Sequence, residues 1–192
     1  MPTPRILAFG GSLRRVSFNH RVVQVAADAA EAAGAEVTRI RLSDFPLPMF
    51  DEDFESANPL PEAAARLKGL FREHHGLLIG CPEYNSGITA VLKNTIDWVS
   101  RPEEGHAPLD CFDGTYVGLV AASPGGLGGI RVLPSIRVLL SNIKCTVIPE
   151  QAAVSKVHEL LGDDGGITDE RTRGMVEQVG RSLAGTLVKL HA

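Results

Sequence analysis

Residues 10–19 read Gly-Gly-Ser-Leu-Arg-Arg-Val-Ser-Phe-Asn, which puts two glycines, two hydroxyls, two guanidinium groups and an amide in one short stretch. The apolar run Ile6–Phe9 precedes it and an Ala/Val-rich segment follows. A strand that ends in glycines and feeds a helix brings backbone close to a ligand and aims the positive end of the helix dipole at it. That is the chemistry of a phosphate site. Arg14 and Arg15 add planar donors matched to phosphate oxygens. Ser12, Ser17 and Asn19 add side-chain donors, and Ser17 and Asn19 also suit a helix cap. The plainer alternative is a well-capped strand-to-helix turn.

Two further stretches carry special backbone chemistry: Cys81-Pro82-Glu83-Tyr84-Asn85-Ser86-Gly87 and Ser123-Pro124-Gly125-Gly126-Leu127-Gly128-Gly129. The first turn is not GxGxxG, residues 126–131 lack the final glycine, and no GxxxxGK[ST] run exists. A dinucleotide fold site and a P-loop are therefore disfavoured. One phosphate monoester at the first loop, with a flat ring between the other two, fits FMN better. Tyr84 is placed to lie against a ring face and the Asn85 amide to reach a ring edge. The alternative is a turn that merely feeds the next helix.

These loops need elements to hold them. The pattern predicts helices over about 19–33, 61–73, 89–100, 130–140 and 169–190, with Pro134 inside the first turn of the fourth. Gly34 stands where a helix-ending glycine belongs. Strands are expected at 6–9, 36–42, 76–80, 115–122 and 144–148; the run Gly76–Gly80 is apolar throughout, as in a strand covered on both faces. Residues 43–61 hold four prolines and the acidic patch Asp51-Glu52-Asp53, and are expected to be irregular. Residues 101–114 form a second such connection. Alternating strands and helices imply an α/β fold, a doubly wound five-stranded parallel sheet of flavodoxin-like order 2-1-3-4-5. In that order the loops after strands one, three and four meet at one crevice beyond the strand C-termini.

The 192 residues, 44% of them hydrophobic, suit one domain spanning 1–192. A net charge of −4 leaves no footprint for nucleic acid or an anionic membrane. No apolar run reaches the roughly 18 residues of a bilayer-spanning helix. Met1-Pro2-Thr3-Pro4-Arg5 lacks the pattern of a secretory signal, and three unpaired-looking cysteines fit a reduced, cytoplasmic setting. Cys81 and Cys145 read as small buried residues rather than reactive thiols. The six histidines show no metal-ligand spacing.

Taken together, Gly11-Ser12-Leu13-Arg14-x-x-Ser17-x-Asn19, Pro82-Glu83-Tyr84-Asn85 and Leu92-Lys93-Asn94-x-Ile96-Asp97-Trp98 resemble the NADPH-dependent FMN reductases. That flavodoxin-like group includes azoreductases, quinone reductases and chromate reductases. The resemblance extends to Leu47-Pro48-Met49-Phe50-Asp51-Glu52-Asp53, Lys156-x-His158-Glu159-Leu160 and Ile167-Thr168-Asp169-Glu170. It implies that Ser12, Arg14, Ser17 and Asn19 bind the FMN phosphate. It also implies that Pro82, Glu83, Tyr84 and Asn85 hold the isoalloxazine, largely through backbone, and that Ser123, Gly125 and Gly126 close the ribityl and ring side. Where the family often has Ser-x-Pro-Gly, this chain has Gly87-Ile88-Thr89-Ala90, so the nicotinamide and acceptor pocket is expected to follow its own path.

The flavin carries the chemistry in such a reductase, from NADPH or NADH to a small-molecule acceptor, and no side chain need act as acid or base. The resemblance further implies a homodimer or homotetramer, with Asp51–Phe54 and Trp98–Arg101 as interface candidates. Their alternative reading is a solvated loop and a core tryptophan. Two other functions are weighed. A flavodoxin-type carrier or redox sensor would use the same FMN site without its own nicotinamide chemistry. A serine hydrolase would use Ser123 in Ala121-Ala122-Ser123-Pro124-Gly125, with His158 or His191 and Asp163 or Asp169 as partners, although Pro124-Gly125-Gly126 delays the helix that should follow the nucleophile.

Overall fold

A computed structural model of the protein describes residues 3–190. Its strands are β1 (Arg5–Gly10), β2 (Glu36–Arg39), β3 (Gly76–Gly80), β4 (Glu83–Tyr84), β5 (Gly87–Ile88), β6 (Tyr116–Ala122) and β7 (Thr146–Val154). Its α-helices are α1 (Phe18–Ala32), α2 (Glu52–Ala57), α3 (Glu62–Glu73), α4 (Ala90–Val99), α5 (Val132–Asn142), α6 (Val157–Leu160) and α7 (Glu170–Leu190). The main sheet is parallel in the order β2-β1-β3-β6-β7, and β4 and β5 form a separate antiparallel hairpin. With the hairpin set aside, this is the flavodoxin-like order expected from the sequence.

Side chains alternate across the sheet, so each strand feeds two cores. Leu7, Phe9, Leu77, Ile79, Val117 and Leu119 pack with residues of α3, α4 and α5. Ile6, Ala8, Leu78, Val120 and Ala122 pack with α1 and α7. Leu77 and Leu78 have no exposed surface, which explains the unbroken apolar run of β3. Each fully buried Leu, Ile or Phe contributes about 1.5–3 kcal/mol of transfer free energy.

Four local features depart from the expected pattern. β2 stops at Arg39 because Leu42 turns inward in a short 3-10 turn, Leu42–Asp44, and is buried in the α3–α5 core. α2 forms inside the expected irregular stretch: the Asp51 side chain accepts from Phe54 N at 2.9 Å, and Glu52, Asp53 and Glu55 sit in its first turn. β7 runs past Ile148 to Val154, with a register irregularity opposite Val117 and Leu119. Pro149 is tolerated because β7 is an edge strand. The fourth predicted helix starts two residues late as α5, with Pro134 in its first turn as expected.

The interface candidates of the sequence meet each other. Trp98 has no exposed surface; its Nε1 donates to Pro48 O at 2.8 Å, and the rings of Phe50 and Phe54 stand edge-on to it. Asn94 donates to Pro48 O and accepts from Phe50 N, and Arg101 pairs with Glu55 at 2.7 Å. Trp98 is thus a core residue that anchors the 48–55 segment. No helix among the described residues is long and apolar enough to cross a membrane.

Candidate functional site

β1 and β3 end side by side, Gly10 opposite Gly80, and the chain leaves β1 and β3 toward opposite edges of the sheet. This switch is where a doubly wound sheet opens a crevice. Gly11 N donates to Gly80 O at 2.8 Å, and Cys81 N donates to Val120 O at 2.7 Å. The Thr89 hydroxyl donates to Gly11 O at 2.7 Å, fixing the start of α4 to the first loop. The close contact at Gly80 requires a glycine: a Cβ there would run into the Asn19 carbonyl oxygen.

The first loop then climbs to α1. Ser17 is the N-cap, its hydroxyl accepting from His20 N at 3.4 Å, and Ser12 Oγ accepts from Arg14 N at 3.2 Å. The next five N–H groups, Arg15 to Asn19, have no acceptor among the described residues. Five consecutive free donors at the positive end of a helix make a concave anion cradle. The Arg14 guanidinium makes no ion pair or hydrogen bond among the described residues. It is exposed and available to a dianion.

Two side chains hold this cradle from beneath. His20 is buried, and its Nε2 lies 3.1 Å from Ser12 O. Burial holds the imidazole below its usual value, so the neutral ring donates from Nε2 to the carbonyl. Arg41 Nη2 donates to Arg14 O at 3.2 Å and Arg15 O at 3.0 Å. Neither residue was singled out from the sequence. The only signal is that His20 lies one helical turn inside the cap.

Asn19 lines the same crevice, and its side chain makes a further tie. Its Nδ2 donates to Ala122 O at 2.8 Å and its Oδ1 accepts from Ala122 N at 2.9 Å. The buried amide therefore ties α1 to the end of β6. Glu83 is likewise engaged. Its carboxylate accepts from Arg131 N at 2.9 Å and Val132 N at 3.2 Å, and pairs with the Arg131 guanidinium at 2.6 Å. Glu83 caps α5, so only its backbone is available to a ring.

Asn85 and Ser86 have φ of 52° and 65° and join β4 to β5 as a two-residue turn with both centres left-handed, the geometry of a type I′ hairpin. Tyr84, 59% exposed, projects from this hairpin. Across the crevice Ser123 Oγ donates to Gly125 O at 3.4 Å, and a side chain at Gly126 would meet open space. No histidine reaches Ser123 among the described residues. His158 lies beside Glu159, Asp169 caps α7 through Thr172 N, and His191 falls outside the described residues. α5 begins nine residues after Ser123, unlike the helix of a nucleophile elbow.

The structure brings Ser12, Arg14, Ser17, Asn19, Pro82, Glu83, Tyr84 and Ser123 to one crevice, whose floor encloses about 70 Å³. Asn85, Gly125 and Gly126 stand outside that floor, in the hairpin turn and the open loop after β6. The enclosed part suits a phosphoryl group, and the open space over Tyr84 and the glycines suits a flat ring. The donor set fits FMN. A larger cleft of about 620 Å³ lies beside the C-terminal half of α1, away from the strand C-termini, and its lining mixes Asp28, Asp164, Arg173, Glu177 and Arg181. Burial drives the Cys81 thiol far up and the Cys145 thiol up to about 12, so neither is a thiolate nucleophile.

The chain is similar to known proteins. A probable NADPH:quinone oxidoreductase of Oryza sativa is 30% identical over 195 residues, covering 98% of this chain and 94% of that protein. A quinone reductase of Pseudomonas putida is 31% identical over 162 residues, covering 83% of this chain and 82% of its own. The flavoenzyme NAD(P)H:(acceptor) oxidoreductase FerB of Paracoccus denitrificans shares the fold, with a TM-score of 0.81 at 24% identity over 97% of this chain and 98% of that one. The sequence profile of the NADPH-dependent FMN reductases matches residues 4–159, and the chain belongs to that family.

Proposed function

We propose that the protein is an NAD(P)H-dependent FMN oxidoreductase that passes electrons from a nicotinamide through FMN to a small acceptor. The observation that carries this reading is the run of five unbonded N–H groups from Arg15 to Asn19, set opposite an open, preformed hairpin at the same rim of the sheet. FMN would bind with its phosphate on those N–H groups, Ser12, Ser17 and Arg14. Its ring would lie along the backbone of 82–85 with Tyr84, Ser123, Gly125 and Gly126 around it. When bound, the flavin takes a hydride from the reduced nicotinamide and hands its electrons to the acceptor. The protein's own part is placement. Glu83 and Asn19 lock the two loops to α5 and β6. One open ring face serving donor and acceptor in turn gives ping-pong kinetics.

Relatives named for quinones and azo compounds support acceptors of that size and flatness, and free flavin and metal oxyanions belong to the same range. Of the eleven exposed large apolar residues among those described, five (Leu13, Val16, Tyr84, Leu127 and Ile130) lie on the three crevice loops. Such a patch serves a flat ligand and a neighbouring subunit alike. It supports a homodimer or homotetramer of a single-domain cytoplasmic protein, for which the exposed Met49 and the acidic Asp51–Asp53 offer further contact surface.

The visible spectrum of the purified protein, before and after anaerobic NADPH, tests the reading. A yellow protein bleached directly by NADPH is expected. Bleaching only through a partner reductase would make it an electron carrier, and fluorophosphonate labelling of Ser123 would make it a hydrolase.

A further inference from the structure

The first loop has two sides. On one lies the crevice with Ser12, Arg14 and Ser17. On the other, between the start of α1 and the end of β2, lies a separate cleft of about 380 Å³ lined by Arg15, Arg21, Arg39 and Arg41 together with His20 and Gln24. No carboxylate among the described residues lines it. Arg39 is neutralised by Asp28 and Glu31 at 2.6 and 2.7 Å. Arg15 and Arg21 make no ion pair or side-chain hydrogen bond among the described residues, and Arg41 meets only the carbonyls of Arg14 and Arg15. Three uncompensated guanidinium groups thus face one cleft in a chain whose net charge is −4.

None of these arginines lines the crevice that holds Ser12 and Arg14, and Ser17 alone borders both hollows. A second multiply charged anion must be the complement of this cleft. At about 380 Å³, several times the crevice floor that suits one phosphoryl group, it has room for a phosphorylated nucleoside but not for a polymer. The reaction brings such a group: NADPH differs from NADH by one phosphate monoester on its adenosine ribose. We propose that the Arg15–Arg21–Arg41 cleft binds the 2′-phosphate of NADPH and sets the preference for that coenzyme. The adenosine end then folds back past the phosphate loop while the nicotinamide reaches the ring over Tyr84. Arg21 lies one turn below the Ser17 cap, about 6 Å along the helix, and lines this cleft but not the crevice that holds Arg14. The inference rests on the reading of the protein as a nicotinamide-dependent flavin reductase.

The test compares wild type with Arg21→Ala, each loaded with FMN, using NADPH and NADH against one quinone. The loss of one charge-assisted contact should raise KM for NADPH about 10–100-fold, with kcat, the NADH parameters and the FMN affinity unchanged. Arg21→Lys should recover part of the loss. Calorimetric titration supplies a readout without turnover: 2′,5′-ADP should bind wild type more tightly than 5′-AMP, and the variant should lose that difference. Equal losses for both coenzymes, no loss for either, or equal binding of 2′,5′-ADP and 5′-AMP by wild type would overturn the site. Failure of wild type to take up FMN or to oxidise NADPH overturns the reductase reading and this site with it; intact turnover without phosphate selectivity overturns the site alone.

Discussion

Asn19 on the first turn of α1 holds both backbone polar groups of Ala122 at the end of β6, donating at 2.8 Å and accepting at 2.9 Å across 103 residues of sequence. The pair joins the start of α1 to the loop after β6, so one buried amide ties the two halves of the crevice together. Replacing Asn19 with Ala leaves a buried N–H and a buried C=O unpaired. Stability should fall by about 2–5 kcal/mol, read as a lower urea midpoint, and FMN affinity should fall with it. A variant with unchanged midpoint would show that the tie is not formed in solution.

Glu83 joins the hairpin to α5. Its side chain is 6% exposed while Arg131 is 55% exposed, so the solvated partner screens the ion pair and the two α5 N–H bonds matter more. Glu83→Gln keeps a carbonyl acceptor and should cost about 1 kcal/mol, whereas Glu83→Ala should cost about 2–3 kcal/mol. Thermal unfolding of both variants checks the order. Equal melting temperatures for all three proteins would count against the cap.

Arg14 has no partner to lose among the described residues. Arg14→Ala should therefore leave apoprotein stability unchanged and weaken FMN binding by about 1.5–3 kcal/mol. Fluorescence titration of FMN into the apoprotein measures it, and an unaltered affinity would remove Arg14 from the site.

Tyr84 is more than half exposed and packs against no core. Tyr84→Ala should keep the melting temperature and change the flavin absorbance or the rate of turnover. If spectrum and rate both match wild type, the ring does not touch it.

The buried His20 gives a pH dependence with a defined sign. Its native pKa is lowered by burial, while the unfolded chain binds a proton near pH 6.5. Between the two values the unfolded state holds more protons, so stability is fully present above about pH 6.5 and declines as pH falls below it. His20→Gln, which can still donate to Ser12 O, should flatten that part of the profile. A wild-type midpoint constant from pH 7.5 to 5.5 would exclude a buried neutral imidazole there.

The strand order and the three converging loops were legible because each leaves a local trace: an apolar run, then glycines, then a capped helix. β3 announces itself through Gly76–Gly80, and Ser17 through its position ahead of Val22, Val23 and Ala26. The partners of Asn19 and Glu83 were not legible, because Ala122 and Arg131 are 103 and 48 residues away and contact each only through tertiary geometry. α2 carried its own signal, an Asp51 cap ahead of an acidic first turn, which the surrounding prolines obscured. The tail of β7 carried none, since Pro149, Glu150 and Gln151 break the apolar pattern and only pairing with β6 extends it.

Gly80 and Gly126 stand at opposite extremes of tolerance. The Asn19 carbonyl is pressed against Gly80, whereas Gly126 faces empty space. A side chain therefore has room at 126, in the loop after β6, and none at 80, where β3 ends. A library that reshapes this crevice should open position 126 and leave position 80 as glycine.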